Sequence, residues 1–273
     1  MSAQTHGVSF SLLGPVTATR DGVPLDLGPR QRRVLLVRLL VARNRAVPLD
    51  RLCDDLWAGG PPARAATSVH AHISRLRRAL DPAPMPGARC TVLLTTPYGY
   101  ALPVADEDRD TVRFERAVAA GRALLDSGRP ARAVEVLGGA LDSWYGDVLE
   151  DAAGHPFAAR EIARLQECRH TARELHIRAM LMAGRPERAV HTARDLVADE
   201  PLRESAWDLL MRCLWLLGRP AEAVQQYDRA RWLLHRELGV EPGPALHGLC
   251  GAIKRREASL ADCGSWRTTP VAC

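Results

Sequence analysis

The sequence predicts a mainly α-helical protein of two domains, in which the first domain carries a small β-sheet and the second is all-α. Strand-like alternation of apolar and polar residues is confined to the first hundred positions, and helical spacing dominates from residue 112 to about 256. Residues 1–100 hold 13 arginines against six aspartates, whereas residues 101–273 hold 24 basic and 26 acidic groups. A basic first third is typical of a nucleic-acid-binding module joined to a module for another partner.

Two strand segments open the chain. Residues 8–12 and 23–27 each alternate apolar with polar side chains, and Asp21-Gly22 between them accepts the positive φ of a tight hairpin turn. We therefore predict a small amphipathic β-sheet at the N-terminus.

Three helices follow the sheet. Pro29 opens the first helix, and its segment 34–42 is apolar nearly all round, which predicts the centre of a core. Pro48 begins a short second helix that ends at a Gly/Pro turn, and the third helix spans 63–80. The predicted buried stripe of the third helix is Ala66, Val69, Ile73, Leu76 and Leu80.

The opposite face of the third helix carries small or cationic side chains and no carboxylate: Arg64, Thr67, Ser68, Ala71, Ser74, Arg75 and Arg78. A helix that faces phosphates and base edges is expected to lack acids, although a solvated basic helix would show the same pattern. Two helices joined by a short turn, the second of them basic on its outer face, indicate a helix-turn-helix. After a Pro-rich loop at 81–88, the segments 91–95 and 100–102 predict a hairpin at the position of a wing.

The second half of the chain contains an internal repeat. The segments GRPARAV (128–134), GRPERAV (184–190) and GRPAEAV (218–224) each place Gly-Arg-Pro at a predicted helix boundary. The last two copies are 34 residues apart, which is the period of tetratricopeptide helix pairs. Stacked pairs of this kind build a continuous core and a surface for binding another protein.

Particular motifs resemble a known family. LGPRQRRVLLVRLL (27–40), LDRLCDDLW (49–57), SVHAHISRLRRAL (68–80) and TTPYGYAL (95–102) look like the response-regulator (OmpR/PhoB-like) winged helix-turn-helix. SWYGDVLED (143–151) and ELGVEPGPAL (237–246) look like the bacterial transcriptional activation domain that follows it in the Streptomyces antibiotic regulatory protein (SARP) family.

The resemblance implies a division of the chain into four parts. We expect a DNA-binding winged helix-turn-helix at 8–104, a linker at 105–111, a tetratricopeptide-like activation domain at 112–256 and a disordered tail at 257–273.

The resemblance also implies which residues contact DNA. Arg64, Thr67, Ser68, Ala71, His72 and Arg75 match the part of the recognition helix that meets base edges and neighbouring phosphates. Arg77 and Arg78 match phosphate-contacting positions, and Thr96 and Tyr98 match the wing turn. For Arg77 the alternative is a side chain that covers the core, and for Tyr98 it is packing on the sheet.

The function implied by the resemblance is transcriptional activation of a secondary-metabolite (antibiotic) gene cluster. The expected partners are direct repeats in double-stranded promoter DNA, RNA polymerase and a second copy of the chain on DNA. Two alternatives stay open: a helical-repeat scaffold that binds DNA without sequence preference, and a repressor.

Other function classes lack their sequence signatures. There is no P-loop, G-x-S-x-G or H-E-x-x-H motif and no paired metal-ligand spacing, so we expect no enzyme activity, catalytic residue, cofactor or metal. The seven cysteines are scattered and fit core positions in a reducing compartment. Since the sequence shows neither a signal-peptide pattern nor a run of 18 apolar residues, we expect a cytoplasmic, nucleoid-associated protein that does not bind membranes.

Overall fold

The computed structural model describes residues 7–81 and 92–257. The chain divides into two compact units: unit 1 contains residues up to 116 together with 142–167, and unit 2 contains 117–141 and the residues from 168 onward. The predicted fold class, a small N-terminal sheet and wing followed by a helical-repeat domain, is confirmed. Most of the predicted Pro-rich loop and all but one residue of the predicted tail lie outside the described residues.

Unit 1 begins with a three-stranded antiparallel sheet in the order β1-β2-β3. Its strands are β1 (Val8–Ser11), β2 (Thr17–Arg20) and β3 (Val23–Pro24). The predicted hairpin at Asp21-Gly22 joins β2 to β3, but the sequence did not indicate β2 as a separate strand. Val23 is 64% exposed because β3 is a two-residue strand at the edge of the sheet. Of the apolar face predicted for residues 23–27, only Leu27 is buried.

Three helices follow the sheet and pack against one another: α1 (Arg30–Val41), α2 (Leu49–Leu56) and α3 (Ala65–Leu80). The prediction for α1 is confirmed, since every residue from 34 to 40 is buried except Arg38. Arg38 is accommodated because its guanidinium pairs with the buried carboxylate of Asp55 and lies 5.6 Å from the ring centre of Phe157.

The buried stripe of α3 consists of Ala65, Val69, Ile73, Leu76 and Leu80. Four of these five were predicted, but the prediction of Ala66 was wrong, because Ala66 is exposed and its neighbour Ala65 is buried. Ala65 and Ala66 flank the axis of the stripe on opposite sides, so the packing of the first turn of α3 decides between them.

The wing is a hairpin of β4 (Leu94–Thr96) and β5 (Gly99–Ala101), as predicted. Tyr100 extends it by pairing with Val47: the Val47 amide donates to the Tyr100 carbonyl at 2.8 Å, and the Tyr100 amide donates to the Val47 carbonyl at 3.0 Å. The wing is therefore hydrogen-bonded to the chain just before α2.

Residues of the second half complete unit 1. They come from the first part of α4 (Asp110–Asp126), a short 3-10 helix at Glu150–Ala152 and the first part of α6 (Pro156–Met182). Arg109, Asp110 and Thr111, which fall in the predicted linker, are each about 5–6% exposed. This segment is therefore part of the packed interior of unit 1.

Unit 2 is a stack of helices. It contains α5 (Pro130–Leu141), α7 (Pro186–Asp199), α8 (Glu204–Leu216), α9 (Pro220–Leu238) and α10 (Pro244–Arg255), together with the remaining parts of α4 and α6. The three Gly-Arg-Pro repeats make the same turn, because Gly128, Gly184 and Gly218 have φ values of 70°, 69° and 70°. The repeat alanines 133, 189 and 223 are fully buried, as expected of a small residue where two helices approach closely.

Two further expectations concern cysteines and membranes. Cys53, Cys168, Cys213 and Cys250 are buried, in agreement with their prediction as core residues, and the other three cysteines lie outside the described residues. Within 7–81 and 92–257, every helix is too short or too polar to cross a bilayer.

Candidate nucleic-acid interface

The outer face of α3 is positively charged and accessible. The exposed members of the predicted site on this helix and its N-cap are Arg64, Thr67, Ala71, Arg75 and Arg78. No carboxylate occurs between residues 65 and 80, and Arg64, Arg75 and Arg78 form no ion pair with the residues that the structure describes. The positive charge of this face is therefore available to an anionic partner.

Two predicted site residues lie at the edge of this face. Ser68 and His72 are half-buried, and the His72 Nε2 atom lies 3.4 Å from the Gln31 Oε1 atom on α1. Burial lowers the pKa of His72, and the positive charges of Arg32 and Arg75 lower it further. His72 therefore lies in the seam between α1 and α3, where cations approach it from both helices.

Arg77 contacts the wing. Its Nε donates to the Leu93 carbonyl at 2.9 Å, its Nη2 donates to Thr95 Oγ1 at 2.7 Å, and its guanidinium carbon lies 5.9 Å from the ring centre of Tyr100. Since Arg77 is half-buried, this side chain joins the last turns of α3 to β4 and β5. Arg78, the next residue, is exposed.

The wing turn presents Tyr98. Its side chain is 79% exposed, while its amide donates to Thr96 Oγ1 at 3.2 Å and the Thr96 hydroxyl donates to the Gly99 carbonyl at 3.1 Å. Thr96 thus closes the turn. Tyr98 is left projecting, so the alternative in which it packs on the sheet does not describe this structure.

Sequence reasoning missed Arg32. Among the α1 arginines, Arg33 pairs with Asp151, Arg38 pairs with Asp55, and Arg30 donates to the Asp151 carbonyl at 3.1 Å. Arg32 has no ion pair with a described residue, and its buried Nε has no hydrogen-bond partner there. The run Arg-Gln-Arg-Arg (30–33) was the available signal, but only the tertiary structure shows that Arg32 is the arginine of this run whose side chain has no ion pair or hydrogen bond to a described residue.

Two buried carboxylates hold the loop between β1 and β2. Asp110 accepts hydrogen bonds from the amides of Leu12 and Leu13 at 2.8 and 3.1 Å, and Asp151 accepts one from the Val16 amide at 2.8 Å. Asp151 also pairs with Arg33 at the start of α1. The sheet and the first turn of α1 are therefore fixed by residues from the second half of the chain.

Comparisons with known proteins match both halves of the chain. Residues 22–102 match the family model of the transcriptional regulatory protein C-terminal domain, and residues 109–254 match that of the bacterial transcriptional activator domain. RedD of Streptomyces coelicolor is 36% identical over 253 residues, which cover 93% of this chain and 70% of RedD. DnrI of Streptomyces peucetius is 31% identical over 256 residues, which cover 93% of this chain and 94% of DnrI. This chain belongs to the Streptomyces antibiotic regulatory protein family.

A solved structure agrees with this membership of the SARP family. The structure of Mycobacterium tuberculosis EmbR in complex with a low affinity phosphopeptide superposes with a TM-score of 0.84 at 32% identity, covering 92% of this chain and 65% of that one. The sequence spans 64% of the length of EmbR. EmbR and RedD are named as transcriptional regulators and not as enzymes, in line with the expectation from the motifs.

Proposed function

We propose that this SARP-family chain is a sequence-specific DNA-binding transcriptional activator of a secondary-metabolite (antibiotic) gene cluster. In this proposal it binds direct repeats in promoters as a homodimer and recruits RNA polymerase through its helical-repeat half. The observation that carries the proposal is the presence of both domain matches in one chain, together with likeness to RedD and DnrI over 93% of its length.

The exposed face of α3 supplies chemistry suited to the major groove. Thr67 and Ala71 are small and exposed, so base edges can approach the helix closely between them. Arg75 is exposed and long enough to donate two hydrogen bonds to a guanine. Arg64 and Arg78, at the two ends of α3, are assigned to phosphates.

The remaining residues of the predicted site are given supporting roles. Tyr98 at the wing tip contacts the DNA backbone, while Thr96 shapes the turn that presents it. Arg77 holds the wing against α3 through its bonds to Leu93 and Thr95. Ser68 and His72, being half-buried, border the contact surface.

The experiment is a gel-shift titration of the purified chain on promoter fragments from its own genomic neighbourhood, with excess competitor DNA at near-physiological salt. We expect binding that survives the competitor, a footprint on direct repeats and a two-to-one stoichiometry on a repeat pair. In-vitro transcription from the same promoter is expected to rise with the amount of added protein.

Each part of the proposal has its own contrary result. Binding that competitor DNA abolishes on every fragment would favour a scaffold that holds DNA without sequence preference, since such binding is purely electrostatic. Specific binding with a fall in transcription would make the chain a repressor. In the same gel-shift assay, the Arg75→Ala variant should lose about 1–3 kcal/mol of base preference at one base pair of the site.

A further inference from the structure

The seam between α1 and α3 collects positive charge without a matching acid. The positive charges of Arg32 on α1 and Arg75 on α3 both lower the pKa of His72, and neither arginine pairs with a carboxylate among the described residues. By contrast, Arg33 and Arg38 on the same α1 are each paired with a buried aspartate. The other cations of α1 are therefore engaged within unit 1, while Arg32 is not.

Two nitrogen atoms in this seam are buried and lack a partner. Arg32 Nε and His72 Nδ1 have no hydrogen bond to any described residue. A buried polar atom without a hydrogen-bond partner is unfavourable and calls for an explanation, of which a bound ion is one. Arg32 Nε is a donor, so the acceptor that it lacks is one that an anion entering the seam would supply.

The position of Arg32 is fixed by local packing. Its guanidinium lies over Gly28, where an added Cβ would come within 2.4 Å of Arg32 Nη1. Gln31, the preceding residue, contacts His72 at 3.4 Å and so places this turn of α1 beside the middle of α3. Arg32 therefore belongs to the turn of α1 that lies beside the middle of α3, and its guanidinium packs on Gly28.

We propose that Arg32 forms a phosphate subsite in the seam between α1 and α3, beside His72, and that it takes one backbone phosphate of duplex DNA. This inference rests on the proposed function, because it assumes that α3 lies in the major groove. A recognition helix in that groove brings the phosphates of the flanking strand to its sides, where Arg32 lies. The subsite adds affinity and fixes the orientation of α3, and it carries no sequence preference.

The test compares three variants of the full chain on duplex DNA over a range of salt concentrations. Arg32→Gln removes the charge but keeps a polar side chain, Arg32→Lys keeps the charge, and Arg188→Gln removes an exposed arginine on α7 as the matched control. The DNA is the bound promoter fragment and a random duplex of equal length. Thermal unfolding of each variant confirms that it is folded.

We expect Arg32→Gln to make the slope of log K against log salt shallower by about 0.9, the value of one phosphate contact. If the wild type and the variant have equal affinities at about 1 M salt, this difference in slope makes the variant bind about five-fold more weakly at about 0.15 M salt. The factor should be the same on both duplexes. Arg32→Lys should restore the slope, and Arg188→Gln should bind like the wild type.

Three results would overturn the subsite. If Arg32→Gln keeps the wild-type slope and affinity, Arg32 does not bind a phosphate. The proposed function would still stand, because the wild type binds its promoter. If affinity falls while the slope is unchanged, Arg32 only supports the fold. If the wild-type chain binds neither duplex, the proposed function fails together with the subsite.

Discussion

Asp151 forms an ion pair with Arg33, with 2.8 Å between Oδ1 and Nη2, although 118 residues separate them in sequence. The Asp151 carboxylate is 6% exposed, and its second oxygen accepts the Val16 amide. Residues that match the activator domain thus complete the packing of the residues that match the winged helix. The stability of the candidate DNA-binding surface should therefore depend on both halves of the chain.

Replacing Asp151 with Ala tests this dependence. The variant leaves the Val16 amide without its acceptor and Arg33 without its ion-pair partner, so we expect a loss of about 2–3 kcal/mol in the free energy of unfolding of unit 1. Urea unfolding and hydrogen exchange of the Val16 amide measure it. The control is Asp106→Ala, which removes an ion pair to Arg116 in which both side chains are more than half exposed, and should change stability by less than about 1 kcal/mol. Equal losses in the two variants would contradict the role given to Asp151.

The stability of unit 1 should carry an unusual pH-dependent contribution from Asp110. Burial raises the pKa of this carboxyl above its ordinary value, against the lowering effect of hydrogen bonds from the amides of Leu13, Leu12 and Thr111. The folded state therefore binds the Asp110 proton more tightly than the unfolded state does. Its contribution to stability is greatest at acid pH and falls as pH rises from about 4 through the raised pKa.

Comparison of the wild type with Asp110→Asn over a pH series isolates this contribution. Because asparagine does not titrate, the stability lost on substitution should be larger at acid pH than at neutral pH. A loss that is independent of pH, or one that grows toward neutral pH, would show that the pKa of Asp110 is not raised.

Gly99 should tolerate no side chain. Its φ is +126°, and an added Cβ would lie 2.1 Å from the Val47 carbonyl oxygen. Gly99→Ala should therefore break the Val47–Tyr100 pairing, cost about 2–4 kcal/mol and detach the wing. Hydrogen exchange at the Tyr100 amide measures the loss directly.

Gly139→Ala is the matched control for Gly99→Ala. Gly139 lies within α5, and an added Cβ meets nothing within 4 Å, so alanine should stabilise the helix by up to about 1 kcal/mol. Unchanged exchange at Tyr100 in Gly99→Ala would refute the close approach of the wing to Val47.

Arg77 and Arg78 should behave differently although they are neighbours. Arg77→Ala should weaken DNA binding and speed hydrogen exchange in β4, because the bonds to Leu93 and Thr95 are lost, while the salt dependence of binding stays as in the wild type. Arg78→Ala should leave the wing intact and make the salt slope shallower by about 1. Titration of DNA binding against salt concentration in both variants shows which of the two arginines contacts a phosphate. A shallower slope in Arg77→Ala would return this residue to the phosphate contacts that its sequence position suggested.

Local patterns were sufficient for much of the fold. The apolar run in α1, the Gly-Arg-Pro turns and the turn residues of the wing act over a few residues, so their periodicity and backbone preferences can be recognised without knowing the rest of the chain. Errors arose where neighbours decide the outcome. Ala65 rather than Ala66 is buried, and β2 forms because it pairs with β1 on one side and β3 on the other.

The sequence by itself determined the fold class and the family resemblance, which depend on patterns and motifs along the chain. It also determined the carboxylate-free face of α3, because helical spacing alone decides which side chains share a face. The tertiary structure decided what each cation contacts. It directs Arg77 to the wing, Arg33 to Asp151 and Arg32 to the seam beside His72, although all three are arginines near helix ends. The physical reason is that a long charged side chain takes its role from partners brought close by folding, and those partners lie as many as 118 residues away.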